Sequence, residues 1–378
     1  MAFLAALLGL FLVGAALFDA FETVVLPRRV SRRLRIASLV GDVTWGPYAS
    51  MARHIKDGGR RETFLSFYGP SRLLLLVALW AIILILGFAV LHWAAGSALS
   101  APDNQRDFGA DLYFSGTTFF TLGLGDVVPE SALARLLTVT EGGTGFAFLA
   151  LLIGYFPVVY QIFARRETNV SLLDQRAGSP PTAVELIRRN VRDGDHTELI
   201  RLLQEWEPWV ADLLESHLSY PMLAYFRSQH ENQSWVASLA VILDVSAYIM
   251  ACGKTQAVSQ ASFTFAVGRH AVGDLTNVFG LQPHAPPVDR LDSAAAQTLW
   301  ATARASGLVA ERDLSARDRL TAIRTVYEPY LQAISEQLLM DLPPWVPLLG
   351  AEDNWETTAW QFTSPVSLLG SNTPFKKP

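Results

Sequence analysis

Apolar residues are concentrated in the first 165 positions and thin out after them. Residues 2–18 are almost wholly apolar, and apolar positions return at Val24, Val25 and Leu26, with Asp19 and Glu22 between. No basic residue precedes this run and no small-residue cleavage site clearly follows it, which favours a retained membrane helix. The apolar core is short for a span, so a cleaved signal segment stays the alternative. Pro27 marks the exit, followed by Arg28, Arg29, Arg32, Arg33 and Arg35. Such a cluster belongs on the cytoplasmic side, which puts the N-terminus outside. Residues 36–70 mix Trp45, Tyr48, Phe64, Phe67 and Tyr68 with Arg53, Lys56, Arg60 and Arg61, so they read either as a segment lying in the membrane interface or as a plain linker. Leu73 to Ala95 is apolar throughout except His92. As a helix it would extend roughly 34 Å, enough to cross a bilayer. Arg72 sits at its cytoplasmic end, with His92 and Trp93 near the opposite interface.

Residues 97–110 are polar and read as an external turret, and residues 111–130 form a short apolar helix, a Gly-rich turn and a proline, too short to span. Residues 132–163 are a second long apolar helix closed by Arg165 and Arg166. Every basic cluster then falls on one side. After residue 167 the character changes. Gly178-Ser179-Pro180-Pro181 reads as a linker, and Thr182 with Glu185 as a capping box. Amphipathic patterns follow at about 182–192, 196–218, 255–278, 289–306 and 315–340. Residues 235–251 are strongly apolar but short and interrupted by Asp244, so a buried core helix with a paired carboxylate is preferred to a span. The tail, 341–378, is rich in Pro and Trp and reads as irregular structure. These patterns predict an all-α membrane protein in four parts: a membrane helix at 1–27, a cytoplasmic or interfacial linker at 28–70, a helix–re-entrant loop–helix module at 71–166, and a cytoplasmic α-helical domain at 167–378.

Composition agrees and excludes several function classes. Apolar residues make up 51% and charged residues only 17%, where a soluble domain has roughly a quarter charged. The net charge is −5 with no basic field, which removes nucleic acid as a partner. One cysteine permits neither an intrachain disulfide nor a paired-cysteine zinc motif. The seven histidines form no HExxH pattern, and no nucleophile motif or phosphate loop appears, so neither an enzyme nor an organic cofactor is expected.

The chemistry gathers at Thr121-Leu122-Gly123-Leu124-Gly125-Asp126. A dehydrated cation needs oxygens in place of its water shell, and consecutive backbone carbonyls can supply them when φ/ψ alternate in hand. Gly123 and Gly125 suit the unfavourable positions. Leu122 and Leu124 are expected to point off the ion axis into protein, and Thr121 adds a hydroxyl. One loop makes one side of an ion site; four chains around an axis would complete it. Asp126 and Glu130 lie just beyond the turn, and Asp103, Asp107 and Asp111 nearby are expected to add to a cation-attracting field at the mouth.

The stretch Leu112-Tyr-Phe-Ser-Gly-Thr-Thr-Phe-Phe-Thr-Leu-Gly-Leu-Gly-Asp-Val-Val-Pro129 resembles the pore helix, filter and exit of the tetrameric potassium channel superfamily. It looks most like the Gly-Leu-Gly-Asp and Gly-Phe-Gly-Asp filters of two-pore-domain channels and prokaryotic two-helix-pore relatives. The resemblance covers about residues 72–165. It implies that Thr121, Leu122, Gly123, Leu124 and Gly125 carry the carbonyl and hydroxyl ligands of K+, with Tyr113 and Phe114 as an aromatic cuff. Gly145 falls at the family's gating hinge, and Arg135 matches a basic residue at the start of the inner helix. Three residues depart from the pattern. Leu124 replaces the usual filter Tyr and its bracing hydroxyl, Phe120 replaces a frequent Thr, and Thr117 stands where some relatives have a buried Glu that partners the filter Asp.

Glu141 lies well inside an apolar helix, where an ionisable group is costly. It reads either as a cavity ring binding cations or polyamines, or as a brace behind the pore loop. Gly142, Gly143 and Gly145 suit close helix packing as well as hinge bending. Pro157 should kink the same helix, as a gate or for packing alone. Trp206 and Trp209 read as packing rather than a ligand cage. The expectation is passive K+ conduction through a homotetramer in the plasma (inner) membrane, with the lipid bilayer as surroundings. The C-terminal domain would assemble subunits or regulate the gate, its ligand unreadable. A poorly selective cation channel and a non-conducting membrane-anchored sensor are the alternatives.

Overall fold

The computed structural model describes residues 1–26, 35–100, 107–191, 194–230, 232–252, 256–308 and 314–347. Pro27, Arg28, Arg29, Arg32, Arg33, Asp103, Arg106 and the tail from 348 lie outside the described residues. The chain divides into two compact units, Met1–Gln161 and Ile162–Pro378. Both are helical, and the pairing of two short strands is confined to the first.

In the first unit, α1 (Ala2–Ala20) ends in a π-helical turn, Phe21–Val25. The segment read as an interfacial stretch or a linker forms two helices, α2 (Ile36–His54) and α3 (Gly58–Ser66). Asp57 caps α3 by accepting from Arg60 N at 2.8 Å. The long apolar run forms α4 (Tyr68–Ala94), and α1 packs along it. Asp19 explains how α1 tolerates a buried carboxylate. It accepts from Ile36 N at 2.9 Å, Ala37 N at 3.3 Å and Trp80 Nε1 at 2.8 Å. The orphan N–H groups that open α2 are thus capped from another helix. The parts read separately as 1–27, 28–70 and the start of 71–166 pack into one body.

The pore helix α5 (Phe108–Phe119) starts three residues earlier than the apolar pattern suggests, because Asp107 caps it through Ala110 N at 3.0 Å. Strands β1 (Leu99–Ser100) and β2 (Val128–Pro129) pair antiparallel, Leu99 with Pro129 and Ser100 with Val128. They tie the turret to the exit of the turn, a link too short to leave an alternating pattern. Helix α6 (Ala132–Ala177) runs on across Pro157 and past Arg166.

In the second unit, α7 (Ala183–Asn190) begins at Thr182, whose hydroxyl accepts from Glu185 N at 3.3 Å. Only half of the expected capping box forms, because the Glu185 carboxylate turns to Arg188 and Arg189 instead. Helices α8 (Thr197–Ser219), α9 (Trp235–Cys252), α10 (Ala257–Val278) and α11 (Ser293–Ala305) follow. The pattern expected at 315–340 breaks at Thr325–Tyr327 into α12 (Leu314–Arg324) and α13 (Glu328–Leu338). Helix α9 is buried almost all round, flanked by α7, α8, α10, α12 and α13, as its continuous apolar character requires. Asp244 is paired as expected. Arg290 holds both its oxygens at 2.9 and 3.0 Å, and Tyr327 donates to it at 2.6 Å. Trp206 and Trp209 pack together in the core with ring centroids 4.5 Å apart.

Candidate functional site

The loop after α5 has the alternating hand that the sequence requires. Thr121, Gly123 and Gly125 take φ of +58°, +54° and +79°, and the intervening Leu122 and Leu124 do not. The third positive position, Thr121, was not legible, because a β-branched residue is a rare occupant of that region and is strained there. The pore helix holds the loop through its last carbonyls: Thr117 O accepts from Leu122 N at 2.8 Å, and Thr118 O from Thr121 N at 2.9 Å. The negative end of the α5 dipole therefore sits beside the loop, which favours a cation there.

Phe120, Leu122 and Leu124 are 60%, 60% and 62% exposed. The two leucines are not covered by their own chain. Phe114 is buried with Leu99 and Val127 under the exit of the turn. Tyr113 donates to Asp126 Oδ2 at 2.8 Å, and Asp126 Oδ1 accepts from Val127 N at 3.1 Å. This lateral brace is donated by a residue of the pore helix. The Thr117 hydroxyl turns to Phe114 O at 3.0 Å, so Thr117 meets the loop with its carbonyl alone. Glu130 is exposed, and its N–H donates to Ala98 O at 2.9 Å. Of the other acids expected at the mouth, Asp111 is fully buried and accepts from Ser97 Oγ at 2.7 Å, and Asp107 is exposed and caps α5.

Glu141 is fully buried, which removes the cavity-ring reading. Ser115 of α5 donates to its Oε1 and also contacts Ile85 O of α4 at 2.8 Å. His92 of α4 brings Nε2 to 3.4 Å from Glu141 Oε2, at ion-pair distance but off hydrogen-bond alignment. His92, expected near the outer end of the span, is 1% exposed, edge-on to Phe114 at 5.2 Å between centroids. The one signal pointing to it was that it alone breaks the apolar run of α4. Gly145 faces the end of α5 so closely that an added Cβ would lie 1.9 Å from Phe119 O. Close packing therefore requires a glycine there. Pro157 lies within α6 with no break in the helix around it.

Comparison with known proteins gives this geometry a family. Residues 72–161 match the family model described as "Ion channel". The chain is 29% identical over 118 residues to two-pore potassium channel 4 of Arabidopsis thaliana, covering 31% of this chain and 41% of that one. It is 24% identical over 190 residues to an uncharacterized membrane protein, YdjJ, of Bacillus subtilis, covering 50% of this chain and 54% of the relative. The chain thus spans about half the length of the curated relatives it matches. No solved structure matches. Residues 72–161 thus resemble an ion-channel domain, and that family is one of channels, not of enzymes. The protein is an all-α, multi-pass membrane protein.

Proposed function

We propose that this chain is one subunit of a homotetrameric channel that conducts K+ passively through the carbonyls of Thr121 to Gly125. The observation that carries the reading is the alternation of backbone hand at Thr121, Gly123 and Gly125, which turns successive carbonyls toward one line. The exposure of Leu122 and Leu124 supports assembly, since non-helical backbone at membrane depth has to be enclosed by protein or by a water-filled cavity. Four copies would enclose it and complete each ring of oxygens. Asp126 and Glu130 ring the mouth and concentrate cations. Tyr113, Phe114, Thr117 and Glu141 hold the loop from behind. The channel sits in the plasma (inner) membrane with its N-terminus outside and the second unit in the cytoplasm, and that unit governs assembly or gating. Leu124 supports a second reading, a poorly selective cation channel, because it carries no hydroxyl to stiffen the loop. Purified protein in liposomes tests both. Tetrameric protein with barium-blocked K+ uptake and little Na+ uptake supports the proposal. Equal uptake of both ions selects the second reading, and monomeric, non-conducting protein overturns both.

A further inference from the structure

The cluster behind the pore helix contains more chemistry than a brace needs. Three helices meet there. α4 brings His92, α5 brings Ser115 and Asp111, and α6 brings Glu141, all buried. Two of these contacts compete. A serine hydroxyl has one proton, yet Ser115 Oγ lies within bonding reach of both Glu141 Oε1 and Ile85 O. With Glu141 ionised the carboxylate is the stronger acceptor, and the proton ties α5 to α6. With Glu141 protonated, Ser115 donates to Ile85 O, tying α5 to α4, and the tie to α6 falls back to a neutral hydrogen bond donated by the carboxylic acid. Among the described residues, His92 is the one basic side chain that faces Glu141, with Nε2 3.4 Å from Oε2.

We infer that His92 is a positioning residue for the filter: by pairing with Glu141 it decides which way Ser115 donates, and so sets how firmly the pore helix is held against α6. Pore-helix position reaches the filter directly, because Thr117 O and Thr118 O of α5 hold Leu122 N and Thr121 N. Conduction is then sensitive to protons that reach the His92–Glu141 pair. The other titratable groups near the pair, all on α5, are Asp111, held by Ser97 Oγ, and beyond it Asp107, an exposed helix cap. They set the local field but bond to neither Glu141 nor Ser115.

The inference rests on the conduction reading, so its test has one readout that does not. Tetramer in liposomes is assayed for K+ flux across external pH 5 to 9, and pore-helix amide hydrogen exchange (residues 108–119) is followed at the two ends of that range. Wild type is expected to lose flux toward acid and to exchange faster there. Glu141→Gln, which cannot ionise, is expected to flatten both profiles. His92→Gln, which keeps a donor but takes the imidazole away from Glu141, is expected to move the midpoint by about one pH unit or more. Wild-type profiles carried over unchanged into both variants would overturn the inference. Should either variant fail to assemble, Ser115→Ala decides: a pH response that survives it overturns the inference, and its loss supports it. If wild type does not conduct, the conduction reading fails, and hydrogen exchange alone decides the role of His92.

Discussion

Replacing Gly145 with alanine puts the packing of the inner helix against the pore helix to a sharp test. The new Cβ would lie 1.9 Å from Phe119 O, 2.8 Å from Phe119 C and 3.1 Å from Phe119 Cα. All three are backbone atoms, so no flexible side chain can swing away. Restoring ordinary contact requires α6 or the end of α5 to move by about 1.5 Å. Overpacking of this kind costs about 1–3 kcal/mol, and a rigid backbone neighbour puts it near the upper end. Alanine in a helix returns about 0.5–1 kcal/mol relative to glycine, leaving a net loss of about 2 kcal/mol. Two neighbours supply internal controls. A Cβ at Gly143 meets nothing within 4 Å, and one at Gly142 meets only Thr118, at 3.9 Å. Gly143→Ala and Gly142→Ala should therefore be neutral or stabilising. The assay is thermal unfolding of the detergent-solubilised assembly, followed by size-exclusion chromatography, with K+ flux measured in parallel. Gly145→Ala is expected to melt well below wild type and below both controls, and to lose flux. If it melts with Gly143→Ala, the close approach is not real and Gly145 acts only as a hinge.

Three further outcomes follow from the same geometry. Tyr113→Phe removes the hydroxyl that holds Asp126 and should lower the ratio of K+ to Na+ flux more than total flux. Asp244→Leu leaves Arg290 and Glu328 in the core without the bidentate carboxylate and should destabilise the second unit by about 3–5 kcal/mol, read by hydrogen exchange in α9. His217 faces the Arg166 guanidinium at 3.3 Å, and burial together with that charge pushes its pKa down to about 3. The unfolded state then binds the extra proton first, so stability falls as pH drops from about 6.5 toward 3, and His217→Gln should flatten that stretch of a pH–stability curve.

The membrane helices and the turn were legible in the sequence, and the way they pack was not. Span length, apolar runs and the Gly-x-Gly spacing are local properties, so α1, α4, α6 and the loop could be read from the chain. Helix α9 was correctly taken for a core helix because Asp244 interrupts it, although its partner Arg290 lies 46 residues further on and could not be named. Helices α2 and α3 escaped because their aromatic and basic residues are mixed without a clean period, and a carboxylate from α1 supplies the cap of α2. The partners of Asp111 and His92 were hidden for one reason. A polar residue near the end of an apolar run looks as if it faces water, and only the fold shows that these two turn inward, Asp111 to Ser97 and His92 to Glu141. Thr121 resisted for the opposite reason: its strained backbone contradicts its own propensity, as happens at sites whose surroundings hold the conformation.

The most direct test of the central claim is the reversal potential of the purified protein in a planar bilayer with KCl on one side and an equal concentration of NaCl on the other. A K+-selective pore at Thr121 to Gly125 predicts a large potential of the sign that holds K+ back, and its collapse when Gly123 is replaced by alanine. A reversal potential near zero in wild type would contradict it, showing that the pore does not discriminate between the two ions.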